Sequence, residues 1–166
     1  MIDIRRMVAA DLPAIITLWR AAWMDGHAAI VDPALVAART PETYAARAPA
    51  MVAEASVAGP IGAPLGFCTV TDDELSRLFV GRTARGTGVA MALVAEGERR
   101  LAAAGVRRAW LGCAVGNERA RRFYLKAGWE AVGEVVLPSS PAEGVAIDVR
   151  YIRFEKTLLD AAAPRV

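Results

Sequence analysis

The run Arg85-Gly86-Thr87-Gly88-Val89-Ala90 sets two glycines one residue apart between a strand-like segment and the first turn of a helical pattern. That combination suits an anion. The first N–H groups of a helix have no intrahelical acceptor and carry the positive end of the helix dipole, so main chain alone can hold phosphate oxygens. Glycine lets the backbone come close. Spacing excludes other glycine signatures: a dinucleotide fingerprint needs Gly or Ala where Met91 stands, and no Gly-Lys-Ser/Thr run exists. A second segment, 117–129 (NERARRFYLKAGW), opens with Asn117 as a helix N-cap and puts Ala120, Phe123, Tyr124 and Ala127 on one helix face. Cys68 and Cys113 lie in apolar runs without metal-ligand spacing, and His27 is the only histidine, so no metal site is expected and the thiols read as reduced core residues.

The flanking pattern supplies the elements that position these residues. A strand over 75–80 leads into the turn, a helix with apolar Val89, Leu93 and Leu101 ends near Gly105, and a strand over 108–115 follows. This β-α-β unit predicts parallel neighbouring strands with a right-handed crossover. Upstream, a short strand over 2–7 precedes Asp11, read as an N-cap with Pro13 in the first turn, and a helix to about residue 23 carrying Leu12, Ile15, Ile16, Trp19 and Trp23. Asp25, Gly26 and His27 begin an irregular segment. A helical stretch is expected within 33–47, then an antiparallel strand pair over 51–57 and 65–70 and a turn at Asp72-Asp73. The short helix 118–127 closes at Gly128, and strands over 129–137 and 145–157 surround a loop with Pro138, Ser139, Ser140 and Pro141.

A chain of 166 residues supports one domain, expected over 1–160 with a mobile tail at 161–166. Its net charge of +2, from 20 basic and 18 acidic residues, gives no field that favours nucleic acid or an anionic membrane. Lys126 and Lys156 are the only lysines, so arginine clusters carry little weight by themselves. The first residues lack a following apolar region and no stretch reaches membrane-spanning length, so a cytoplasmic protein is expected.

Residues 85–90, directly after Leu78-Phe79-Val80, resemble the Arg-x-x-Gly-x-Ala acetyl-CoA pyrophosphate motif of the GCN5-related N-acetyltransferase (GNAT) family. Residues 117–129 resemble that family's Asn-x-x-Ala-x-x-Phe-Tyr-x-Lys-x-Gly-Phe segment. The order of elements follows the family across nearly the whole chain. Arg82 stands where the family commonly has proline, a difference that bears on the stiffness of the turn rather than on the anion site. The resemblance implies an α/β (α+β) fold, a mixed, mostly antiparallel sheet of about six to seven strands with a central parallel pair, flanked by about four helices.

It also implies chemistry: an acceptor amine attacks the thioester of acetyl-CoA, the cosubstrate, and the thiolate leaves. The pyrophosphate is expected on the N–H groups of Arg85, Gly86, Thr87, Gly88, Val89 and Ala90. The pantetheine arm would pair like an added strand with the backbone of Leu78, Phe79 and Val80, where an N–H also faces the charge developing on oxygen. Tyr124 is the leading general acid, with a helix-face core residue as its other reading. Glu74 leads as general base, on the same strand face as Ser76, Leu78 and Val80, with a solvated charge beside Asp72 and Asp73 as its other reading; Asp25 and His27 are further candidates. Asn117 would both cap its helix and meet the cofactor, and Lys126, with Arg121 and Arg122, would reach the ribose phosphate. The implied partner is a primary amine of a small molecule, amino acid or peptide, with a homodimer allowed. The segment between Trp23 and Met51, which shapes the acceptor pocket in such enzymes, matches nothing specific. The alternative is a catalytically silent acyl-CoA-binding module.

Overall fold

A computed structural model describes residues 1–139 and 146–158. The expected tail 161–166, the first residue of the expected last strand, Ser140 and Pro141 lie outside the described residues. Seven strands form one sheet in the order β1-β2-β3-β4-β5-β7-β6. They are β1 (Ile4–Arg6), β2 (Ala55–Ala58), β3 (Gly66–Thr71), β4 (Glu74–Val80), β5 (Arg108–Ala114), β6 (Glu130–Ser139) and β7 (Ile147–Thr157). The helices are α1 (Leu12–His27), α2 (Pro33–Ala38), α3 (Pro41–Arg47), α4 (Val89–Ala103) and α5 (Glu118–Lys126). Neighbouring strands are antiparallel except the central pair β4 and β5. This is the expected mixed sheet.

Several boundaries differ from expectation for identifiable reasons. The single helix expected within 33–47 is two, because the residue before a proline is driven out of the helical region. Thr40 is accordingly extended, with ψ 161, and caps α3 through its side chain. Asp11 stands at the N-cap position of α1, as expected, but its side chain makes no capping bond. Its carboxylate turns back to take both Arg5 Nη atoms at 2.8 Å and the N–H groups of Val8 and Gly62 at 3.0 Å each. The Arg5 hydrogen bonds hold this buried carboxyl far below its ordinary range and tie β1, the start of α1 and the β2–β3 loop together. Helix α1 continues past Trp23, so Asp25, Gly26 and His27 form its last turn instead of an irregular segment. Gly26 permits the close approach of α5: a Cβ there would lie 3.1 Å from Asn117 Nδ2. Strand β2 begins at Ala55, because a 3-10 turn over Ala48–Met51 occupies the start of the expected strand. Pro138 and Ser139 belong to β6, opposite Asp148 and Ile147, and not to a loop. An edge strand tolerates that proline because its outer side has no ladder to complete.

Strand alternation sends side chains into two cores. Ala55, Val57 and Phe67 pack under α1 and α3 with Trp19, Trp23 and Tyr44. Ala58 and Cys68 pack under α4 and α5 with Leu93, Leu101, Trp129 and Phe154. Among the described residues no helix is long and apolar enough to cross a membrane.

Candidate active site

Strands β4 and β5 are in register only where Glu74 faces Trp110, whereas β5 and β7 pair along all of Arg108–Ala114. The β3–β4 register slips between Thr69 and Val70, leaving Ser76 as an extra residue in β4. A bulge bends its strand. Past this bulge β4 and β5 part, and a cleft of about 820 Å³ opens between Leu78, Phe79, Val80 on one side and Gly112, Cys113, Ala114 on the other.

The bulge also changes which way Glu74 faces. Strict alternation places it with Leu78 and Val80. With Ser76 inserted, Leu75 joins Leu78 and Val80 in the core under α4, and Glu74 emerges with Phe79 on the side of α1 to α3. Glu74 lines the cleft, and burial raises its carboxyl above the ordinary range, opposed by Arg77.

At one end of the cleft the wall is main chain. Gly86 and Gly88 adopt φ of 76° and 89°, conformations that cost other residues roughly 1–2 kcal/mol. The turn uses the N–H groups of Arg85 and Thr87, each 3.4 Å from a carbonyl, and the Thr87 hydroxyl donates to Ala84 O at 2.6 Å. Among the described residues, the N–H groups of Gly86, Gly88, Val89, Ala90 and Met91 have no backbone acceptor. Arg85, Gly86, Gly88 and Ala90 line the cleft, whereas Thr87 shapes the turn and the Val89 side chain is buried in the core. The Arg85 guanidinium is held by Asp25 at 2.5 Å, with Arg82 and Arg119 at 3.3 and 3.7 Å from the same carboxylate. These arginines, Arg85 first, lower the Asp25 carboxyl, which leaves it a poor base.

Midway, Tyr124 lines the cleft and packs edge-on to Phe123 at 5.4 Å, with Phe154 at 5.8 Å. Burial, with the Cys113 and Cys68 thiols adding, pushes the phenol well above its ordinary range. Cys68 and Cys113 are buried free thiols, each raised to about 11 by burial. Asn117 caps α5, accepting from Ala120 N at 3.2 Å, and Asn117 and Lys126 both reach the cleft. Helix α5 is pinned at its far end: Lys156 Nζ donates to Ala127 O at 2.8 Å and to Glu98, which also accepts from Trp129 Nε1 at 2.9 Å.

The other end is made of side chains from α1, the α2–α3 junction, α3, β4, β6 and β7. His27 stacks on Trp23 at 5.1 Å and its Nδ1 lies 3.0 Å from Trp23 O, so Nδ1 carries the proton and Nε2 keeps its lone pair. Burial lowers its pKa. Arg39, Arg47, Arg77, Tyr44, Ser139 and Tyr151 complete this end, and sequence reasoning missed all six. Arginines on an arginine-rich chain gave no local signal, and Ser139 comes from a stretch read as loop.

Residues 14–129 match the model of the acetyltransferase (GNAT) family, and the chain belongs to that family. Over 62 residues, 37% of this chain and 40% of the relative, it is 42% identical to an uncharacterized N-acetyltransferase of Mycobacterium tuberculosis. The matched stretch thus spans less than half of that relative. The fold is similar to that of a GCN5-related N-acetyltransferase from Rhodopseudomonas palustris, with a TM-score of 0.74 and 18% identity over 95% of this chain and 96% of that one. It is also similar to the PaiA N-acetyltransferase of Thermoplasma acidophilum solved with coenzyme A, with a TM-score of 0.68 and 19% identity over 95% of this chain and 99% of that one.

Proposed function

We propose that this protein transfers the acetyl group of acetyl-CoA to a primary amine of a small molecule, amino acid or peptide, by direct attack on the thioester. One observation carries the reading: a single cleft runs from unpaired helix N-terminal N–H groups, past the Tyr124 hydroxyl, to the half-buried carboxylate of Glu74. The anion end fits a pyrophosphate. Gly86, Gly88, Val89 and Ala90 would supply its N–H donors, while Arg85 and Thr87 hold the turn in shape. The edge of β4 that has left β5 offers Leu78, Phe79 and Val80 to the pantetheine amides. Asn117 and Lys126 border the same channel. The solved relative with coenzyme A supports this assignment.

An amine of lysine-like basicity costs about 4–5 kcal/mol to deprotonate at pH 7, so a base accelerates attack. Glu74 suits that role because burial makes it a stronger base than an exposed carboxylate. His27 competes for it through its free Nε2. Tyr124 would donate its proton to the departing sulfur. A raised phenol pKa weakens an acid, but the Cys113 thiol on the same wall is itself raised to about 11, so a thiol released at that depth shifts in the same sense.

Thiol release from acetyl-CoA, followed across an amine panel, tests the reading. Acceptor-dependent release supports it. Tight coenzyme A binding with no release from any acceptor would identify a binding module instead.

A further inference from the structure

Arg39, at the junction of α2 and α3, is 5% exposed. Its Nη2 donates to Ser139 Oγ at 2.6 Å across a sequence separation of 100 residues, and its guanidinium lies over the Trp23 ring at 5.5 Å. Among the described residues its Nε and Nη1 are buried without a hydrogen-bond partner, as is the Tyr44 hydroxyl. Those two nitrogens carry three of the five N–H donors of a group that cannot shed its charge. Native proteins rarely leave a buried cation and its donors unsatisfied.

The neighbours do not supply the missing charge. Arg47 and Arg77 lie over the Trp19 ring at 5.1 and 5.5 Å. Among the described residues none of the three arginines has a carboxylate within ion-pair distance. All three line the cleft at the end away from the glycine turn. Glu74 and Tyr151 line the same cleft as Arg39, so a fixed cation and a carboxylate share it.

We infer that the acceptor is a small amine that also carries a carboxylate, an amino acid-type zwitterion. Its carboxylate is held by the fork of Arg39, and its amine lies toward Glu74. Planar guanidinium and carboxylate groups match in a two-point, charge-assisted geometry, which is stronger than a neutral hydrogen bond. Ser139 is a positioning residue: its hydroxyl fixes the fork. This inference rests on the acetyltransferase reading and narrows it.

The test is thiol release from acetyl-CoA with a panel of amino acids, each beside its own carboxamide. The carboxamide amine is the less basic of each pair and is less protonated at neutral pH, so chemistry alone favours it. The expected result is at least a tenfold preference in kcat/KM for the carboxylate. Arg39→Gln should raise KM for the preferred acid about 10- to 100-fold, about 1.4–2.8 kcal/mol at 1.4 kcal/mol per tenfold, with a smaller change in kcat. Arg39→Lys, which keeps charge and loses the fork, should fall between. Ser139→Ala should raise KM less than Arg39→Gln and serves as the second variant should Arg39→Gln fail to fold. Equal turnover of acids and carboxamides, or a preference for carboxamides, overturns the inference and leaves the acetyltransferase standing. If every panel amine fails while acetyl-CoA still binds, the acetyltransferase reading falls and takes the inference with it.

Discussion

Around residues 86–91 the cleft is lined by main-chain N–H groups, and the arginines near them, Arg85 and Arg119, are paired with Asp25. Around Trp19 and Trp23 it is lined by three guanidinium groups that rest on indole rings and, among the described residues, on no carboxylate. The two ends therefore present positive charge by different means. Main-chain donors come with a local conformation, so a few consecutive residues build the first end and any ligand of the right shape and charge fits. Side-chain donors from α2, α3, β4 and β6 meet only after the chain has folded, so the second end is free to be specific. Between them stand the two groups proposed to move protons, Glu74 and Tyr124.

The widest separation of the two ends comes from the proton-moving groups, where we expect the largest effects. Glu74→Gln should lower kcat by about 10²–10⁴, the range for general acid–base catalysis, with acetyl-CoA affinity preserved. Its raised pKa places the acid limb of the pH–rate profile above the ordinary carboxylate value of 4.5, because the base form is lost as pH falls through the folded pKa. That limb should vanish in Glu74→Gln. A His27 base would also lose activity as pH falls, at a pKa below its ordinary 6.5; a limb that persists in Glu74→Gln and disappears in His27→Gln would transfer the role to His27.

Next in size is Tyr124→Phe, expected to lower kcat about 10²-fold without abolishing turnover, since a thiolate leaves tolerably without help. Wild-type turnover in that variant would make Tyr124 a core residue only.

A smaller effect, confined to the main-chain end, is expected of Gly88→Ala. With φ at 89° an alanine is strained by roughly 1–2 kcal/mol, while its Cβ meets nothing closer than Ile2 Cδ1 at 3.6 Å. Acetyl-CoA affinity measured by calorimetry should fall about 5- to 30-fold as the turn relaxes, with the acceptor KM nearly unchanged. Equal losses for donor and acceptor would mean the ends are not independent.

The smallest change should follow Asp25→Asn, which releases an exposed arginine cluster. Acetyl-CoA should bind tighter by about 3-fold or less, with a steeper salt dependence, because Asp25 no longer neutralises the charge of Arg85 and Arg119 beside the proposed phosphate site. Weaker binding would show that Asp25 is needed to aim Arg85.

Much of the framework could be read before any coordinates. The β4-turn-α4-β5 order was legible because alternation, the glycine pair and the α4 period reinforce one another, and the α5 cap at Asn117 is a local hydrogen bond. The register bulge was not. Ser76 carries no signal that it is an extra residue, since a bulge is defined by the partner strand, and missing it puts Glu74 on the wrong face. The end of α1 was misplaced because Asp25-Gly26 reads as a breaker, while the close approach that favours the glycine involves Asn117, far along the chain. The Asp11 side chain was read as capping because its true partners, Arg5 and Gly62, come from β1 and the β2–β3 loop.

By itself, the sequence determined the glycine turn, the helix that carries Tyr124 and the two-sided pattern of the sheet, because each depends on residues within a turn or two of one another. The tertiary structure alone decided that β4 and β5 part at Ser76, that Glu74 lies on the side of α1 to α3, and that Arg39 lies buried against Ser139 with no carboxylate partner among the described residues. Those features depend on contacts between distant segments, and the free energy of a buried charge is set by what surrounds it, not by its neighbours in the chain.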